Sequence, residues 1–273
     1  MTYPFGIDVS SYQKNMDWSK AMATGARFAF VKATEGNRVD PYFSLNWREL
    51  HKLKLPCGAY HFFRPRENLI QIHNFVQEVI NQGDGQLVLD LEDTGGLNRN
   101  AMTDLVNEAL ELIWLAVDHY PIIYSRASWL NSYINVGELP KLDYWLAQYK
   151  FANPFPFFTD MYPTDKLTAP RGIERQQIKF HQGSEKGNGS KYGAQSYYID
   201  TNRFIGTQEE LVAYFGGVVS PVVSEPEPVN APLYQARVIA DVLNVRSSPE
   251  IADNVVTQYR YGKVVDVFEE VVE

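Results

Sequence analysis

The amino-acid sequence predicts an α/β protein: a β/α barrel, then a Pro-rich linker, then a small all-β module. Through residues 1–217, short apolar runs alternate with segments of helical spacing, the pattern of a parallel sheet with crossover helices. Many of those runs begin apolar and end polar, as they must if their ends meet at one rim of a closed sheet. The composition then breaks within residues 218–232, where Pro221, Pro226, Pro228 and Pro232 are interleaved with Ser224, Glu225, Glu227 and Asn230, a stiff extended linker.

Taken in order, the expected strands are 5–9, 27–33, 56–62, 86–92, 121–125, 144–149, 178–182 and 197–200. Between them, Ile72, Phe75, Val76, Val79 and Ile80 recur at helical spacing, as do Met102, Leu105, Val106, Ala109, Ile113 and Ala116. Thr207-Gln208-Glu209-Glu210 has capping-box form ahead of Leu211, Val212 and Phe215, marking a last helix. The stretch 151–175 is rich in Pro and aromatics and reads as a long loop, so some later helices are expected to be missing. In residues 233–273, the runs 236–240 and 264–268 read as strands, with Ser247-Ser248-Pro249 forming a turn.

The 273 residues, 45% hydrophobic and 14% aromatic, suffice for one large core and a small second one. A net charge of -8 without any basic run excludes nucleic acid and anionic membrane surfaces as partners. Residues 1–5 show no basic region leading into an apolar stretch, and no long uncharged apolar window follows, so neither a secretion signal nor a membrane span is expected. Cys57 is the single cysteine; it excludes an intrachain disulfide and reads as a small buried thiol. His51, His61, His73, His119 and His181 form no i,i+4 pair and no zinc motif, so no metal and no cofactor is expected.

The chemistry concentrates at Asp90-Leu91-Glu92, which follows the apolar Leu87-Val88-Leu89. A strand points residues i and i+2 to one face, so both acids project together. Two like charges side by side separate their pKa values, and acid/base catalysis uses that separation. The alternative is a strand end emerging into solvent. The other polar strand ends are Asp8, Lys32 with Glu35, Tyr60 with His61, Tyr124, Gln148, His181 with Gln182, and Asp200, and their shared placement favours a site. Lys32 and Glu35 read equally as a rim ion pair or a ligand contact, His61 as a hydrogen-bonded rim residue, and Asp93 as a loop or capping residue.

These residues resemble the glycoside hydrolase family 25 muramidases, the Chalaropsis-type lysozymes. The resemblance runs through Gly6-Ile7-Asp8-Val9-Ser10, Phe30-Val31-Lys32-Ala33-Thr34-Glu35-Gly36, Asp40-Pro41-Tyr42-Phe43, Gly58-Ala59-Tyr60-His61-Phe62, Leu89-Asp90-Leu91-Glu92, Ile123-Tyr124-Ser125, Trp145-Leu146-Ala147-Gln148-Tyr149 and Ile199-Asp200-Thr201-Asn202-Arg203-Phe204. It implies an irregular, TIM-like β/α barrel that cleaves the β-1,4 bond between N-acetylmuramic acid and N-acetylglucosamine in bacterial peptidoglycan. Carried over by position, it makes Glu92 the general acid, Asp90 its partner, and Asp8 and Asp200 supporting carboxylates. Tyr60, Tyr124 and Trp145 become glycan contacts, with Lys32 and Gln148 beside them. The family usually shows Trp-Gln-Tyr where this chain has His181-Gln182-Gly183, so one subsite is expected to differ in shape.

The expected setting is a monomeric phage endolysin that reaches the wall through a membrane hole made by another protein; an autolysin with an unusual export route is the alternative. A chitinase-type barrel also ends a strand in Asp-x-Glu, but carries further aspartates where this chain has Val88 and Gly85. A non-catalytic wall-binding barrel would normally have lost one of the four acids. Residues 242–249 resemble the opening of a bacterial SH3-like wall-binding module. Because such modules continue for further strands, residues 233–273 are expected to be incomplete and weakly ordered. Carboxyl spacing along the strand does not fix retention or inversion; a substrate-assisted route, with retention, is the working hypothesis.

Overall fold

The computed structural model describes residues 3–83, 85–149, 167–216, 234–237, 242–246, 255–260 and 263–267. In chain order the first elements are β1 (Phe5–Val9), α1 (Trp18–Ala23), β2 (Ala26–Glu35), β3 (Arg38–Val39), α2 (Phe43–Lys52), β4 (Cys57–Phe62), α3 (Ile70–Ile80) and β5 (Gln86–Asp90). Then follow α4 (Arg99–Val117), β6 (Ile122–Ser125), α5 (Ala127–Tyr133), β7 (Tyr144–Ala147), β8 (Ile178–Asn188), β9 (Tyr198–Phe204) and α6 (Gln208–Phe215). The strands form one sheet in the order β1-β9-β8-β7-β6-β5-β4-β2, and a β1–β2 pairing closes it into a barrel, with β3 hung on β2.

Every neighbouring pair from β1 through β2, β4, β5, β6, β7 to β8 is parallel. The expectation of a parallel sheet fails at β9, which runs antiparallel to both β8 and β1. The cause is local: β8 and β9 are joined by a tight reversal, in which the Gly189 N–H donates to the Tyr197 carbonyl at 3.0 Å and Gly193 adopts φ +85°. A direct turn reverses chain direction, whereas a parallel partner needs a long crossover. Both strands also outrun their apolar residues, which is why sequence alone makes them too short.

The helices follow their expected faces. In α3, Ile72, Phe75, Val76 and Val79 are buried, although Ile80 is left exposed at the end. Asn98 caps α4 by accepting from the Ala101 N–H at 3.1 Å, and Thr207 and Glu210 form the expected capping box on α6. These helices cover the outward strand residues, among them Ile7, Val31, Leu89, Leu91 and Ile123.

The barrel interior holds a separate aromatic plug. Phe28 and Phe30 of β2, Trp145 of β7, Phe180 of β8 and Phe204 of β9 meet Phe215 of α6 there. Phe30 stacks on Trp145 at 4.3 Å between centroids. Gly6 and Gly58 face these rings, and a Cβ at either would lie 2.5 Å from Phe28 or 2.7 Å from Phe30. Only glycine admits the rings there.

The chain divides into two compact units, Met1–Ser220 and Pro221–Glu273. In the second, β10 (Tyr234–Arg237) pairs antiparallel with β13 (Val264–Val267), and β11 (Val242–Arg246) with β12 (Val255–Arg260). The expected linker 218–232, the turn 247–249 and residues 151–166 of the expected long loop lie outside the described residues. Among the described residues no helix is long and apolar enough to cross a membrane.

Candidate active site

Strand alternation carries the site. Along β5 and just past it, Val88 faces the interior plug, Leu89 and Leu91 pack outward, and Asp90 and Glu92 turn to one cavity. The ladder continues beyond the strand: the Leu91 N–H donates to the Tyr124 carbonyl at 2.9 Å, and the Ser125 hydroxyl donates to the Leu91 carbonyl at 2.6 Å. Alternation is therefore enforced as far as Glu92, and both acids share a face.

The cavity measures about 280 Å³ at the C-terminal ends of the strands. Its wall includes Asp8, Lys32, Tyr60, Asp90, Glu92, Tyr124, Trp145 and Asp200, as well as Ser10, Tyr12, Gln13, Phe62 and Gln182. A larger cavity of about 450 Å³ opens at the opposite strand ends, but its lining has no carboxylate. The chemistry belongs to the smaller one.

Behind the wall lies a hydrogen-bonded network. Gln182 is nearly inaccessible; its Oε1 accepts from the Tyr124 hydroxyl at 2.7 Å and the Tyr149 hydroxyl at 2.6 Å. Its Nε2 donates to Asp8 Oδ2 at 2.8 Å and Asp200 Oδ2 at 3.3 Å. Asn202 Nδ2 donates to the same Asp8 oxygen at 2.7 Å, while its Oδ1 accepts from Trp145 Nε1 at 2.8 Å. Asp8 and Asp200 lie directly opposite each other in the β1–β9 pairing. At the rim, Lys32 and Arg64 both pair with Glu35, and Arg64 Nη1 also pairs with Asp93 Oδ2 at 2.9 Å.

Burial dominates the electrostatics. It raises Asp8 from 3.8 to about 6, against the hydrogen bonds from Asn202 and Gln182 that pull it down. Burial and the Asp8 charge push Asp200 well above the usual carboxylate range. Burial and Glu92 do the same to Asp90, partly offset by Lys32. Glu92 is raised by burial, with Arg126 and Lys32 pulling down and Glu185 pushing up. Both acids are thus raised, and Asp90, which sits deeper, the more strongly of the two. Asp90 Oδ1 is buried with no hydrogen-bond partner among the described residues.

The structure gathers Glu92, Asp90, Asp8, Asp200, Tyr60, Tyr124, Trp145 and Lys32 around one hollow. Gln148 is not part of that lining: its carboxamide oxygen accepts from the Thr168 N–H at 2.8 Å, because it lies one position past the inward Ala147 and faces away. His61 is no rim residue either. Its ring is buried between β4 and α3, bonded to Thr34 Oγ1 at 2.7 Å and Gln71 Oε1 at 3.0 Å, and burial lowers it to about 4. Cys57 is buried, and burial pushes its thiol up to about 12. Sequence reasoning placed Gln182 only among the polar strand ends, and gave no role to Asn202, Tyr149 or the exposed Tyr12. Inward parity along β8 and β9 marks the first two, since Gln182 is two residues from Phe180 and Asn202 two from Phe204. Among the described residues no group of three His, Cys, Asp or Glu is placed to hold a metal ion.

Paired acids in a sugar-sized hollow, at the rim of a β/α barrel and against aromatic walls, are the equipment of glycoside hydrolases. Comparison with known proteins narrows the class. The sequence profile of glycosyl hydrolases family 25 matches residues 7–190, and the chain belongs to that family, as a glycoside hydrolase. It is 34% identical over 226 residues to the uncharacterized protein YegX of Escherichia coli O157:H7, covering 78% of this chain and 74% of that one. It is 29% identical over 227 residues to lysozyme M1 of Streptomyces globisporus, covering 76% and 70%. The solved family 25 glycosyl hydrolase of Bacillus anthracis superimposes with a TM-score of 0.59 at 27% identity, over 78% of this chain and 94% of that one.

Proposed function

We propose that this chain cleaves the β-1,4 bond between N-acetylmuramic acid and N-acetylglucosamine in bacterial peptidoglycan, with Glu92 as general acid and Asp90 as its partner. The observation that carries the assignment is the pair itself: both acids line one hollow, and the deeper one keeps a buried oxygen with no hydrogen-bond partner among the described residues. That oxygen suits a substrate acetamide N–H, whose carbonyl is then held against the anomeric carbon. In the first step the acetamide oxygen bonds to that carbon, the glycosidic C–O bond breaks, and Glu92 gives its proton to the leaving oxygen. Positive charge grows on the sugar ring and its acetamide, and the Asp90 carboxylate, accepting the acetamide N–H, stabilises it without a further proton transfer. Water then attacks the same carbon, losing its proton to Glu92 and reopening the ring formed by the acetamide. Two displacements retain the anomeric configuration; NMR of fresh hydrolysate showing inversion would exclude the route.

Mass spectrometry of digested peptidoglycan tests the bond assignment. Fragments with reducing-end muramic acid are expected, and reducing-end glucosamine would transfer the activity to the other linkage of the glycan.

A further inference from the structure

The hydrogen-bond polarity behind the cavity is fixed at its two ends, by an indole that only donates and an ionised carboxylate that only accepts. The Trp145 indole can only donate, so Asn202 must present its oxygen to it and turn its N–H groups to Asp8. Two phenol hydroxyls converge on one oxygen of Gln182, and the other end of that amide meets two carboxyl groups. Reversing the amide would set its oxygen against Asp8 and Asp200 and its N–H groups against the phenols. One orientation satisfies every partner. Both relays end on the same atom, Asp8 Oδ2, which receives two amide N–H groups at 2.8 and 2.7 Å, while the facing Asp200 receives only the longer contact from Gln182 at 3.3 Å.

We propose that Tyr149 and Asn202 are positioning residues for the reaction. Through Gln182, and directly from Asn202, they fix the single negative charge of the Asp8–Asp200 pair on Asp8, in the cavity wall beside the acid pair. The inference rests on the proposed cleavage chemistry and deepens it. A fixed charge there stabilises the cationic sugar without reorganising when it forms. It also explains why a tyrosine outside the cavity lining is tied to the site at all.

Other titratable groups face Asp8 too: Asp200 from β9, Asp90 and Glu92 from the end of β5, Lys32 from β2, Tyr60 from β4, and Tyr124 from β6. None of these changes in a Tyr149→Phe variant. That variant is expected to lower kcat about 5-fold, the equivalent of one neutral hydrogen bond, with KM nearly unchanged. The acidic limb of its kcat/KM profile should move to higher pH, because a loosened Gln182 holds the ionised Asp8 less well. In a Gln182→Leu background the same substitution should cost nothing further, since its intermediary is gone. An equal loss in both backgrounds, or a loss with an unmoved pH profile, overturns the inference. Should Gln182→Leu fail to fold, the Tyr149→Phe profile decides alone. Products are identified first with the unaltered protein: absence of muramic-acid ends sinks the proposed function, whereas normal products with an unmoved limb sink only the positioning role.

Discussion

Replacing Asp8 by Asn should make the protein more stable at neutral pH relative to its stability in acid. Asp8 is buried and raised from 3.8 to about 6, so the folded chain holds that proton more tightly than the unfolded one. Below about pH 3.8 the group is neutral in both states and costs nothing. As pH rises toward 6 the unfolded state ionises first, and folding loses free energy through that window. Two units correspond to about 3 kcal/mol, present in full above the folded value. Asn keeps the shape and an acceptor for Gln182 and Asn202 but never ionises. The stability difference between variant and parent should therefore grow by about 2 to 3 kcal/mol between pH 4 and pH 7, whatever its offset. Because Asp8 and Asp200 lie opposite each other and their charges interact, the window belongs to the pair. Urea denaturation followed by tryptophan fluorescence at pH 4, 5, 6 and 7 measures it. A difference that does not vary with pH would refute the reasoning, because the amide donors would then compensate the buried charge completely. Activity of the same variant should fall at every pH.

Glu92→Gln removes the proton donor at nearly constant shape, and kcat should fall by about 10²- to 10⁴-fold with little change in KM. Near-parental release of muramic-acid ends would remove Glu92 from that role. At the rim, burial opposes ionisation of Glu35, but Lys32 and Arg64 hold it down at about 2 from 4.5. Its contribution is complete above pH 4.5 and is lost as pH falls toward 2. After solvent screening, Glu35→Gln should cost about 1 to 2 kcal/mol at pH 7 and progressively less in acid. Equal costs at pH 7 and pH 3 in chemical denaturation would contradict the ion-pair account.

The sequence made the barrel legible where a strand's apolar and polar residues follow period two and lie between helices. β1, β2, β4, β5, β6 and β7 meet that condition, and so the acid pair on β5 could be placed. It was blind to β9's direction, because direction depends on a reversal at Gly189 to Gly193 that resembles any Gly-rich loop. Gln148 and His61 were misplaced for one common reason. Polar residues next to a strand end look alike on either face, and only counting from an inward neighbour such as Ala147 or Tyr60 separates them. The same count brings out Gln182 and Asn202, but their partners lie on other strands, and no local pattern records a cross-barrel hydrogen bond.

The plug beneath the cavity ties packing to chemistry. Phe30 and Trp145 form a dry floor under the acids, and Gly6 and Gly58 are what allow Phe28 and Phe30 to fill the barrel. A wet floor would hydrate Asp8, Asp90 and Asp200, and their raised affinity for protons would collapse toward ordinary values. Even one methyl group at position 58 forces Phe30 aside, which opens the floor below Trp145 and loosens the ring whose N–H orients Asn202. The protonation state of the site is therefore set from below, by glycines that touch none of the acids. A packing substitution at Gly58 should accordingly displace the pH profile as well as lower stability, with about 1 to 3 kcal/mol the expected range for overpacking.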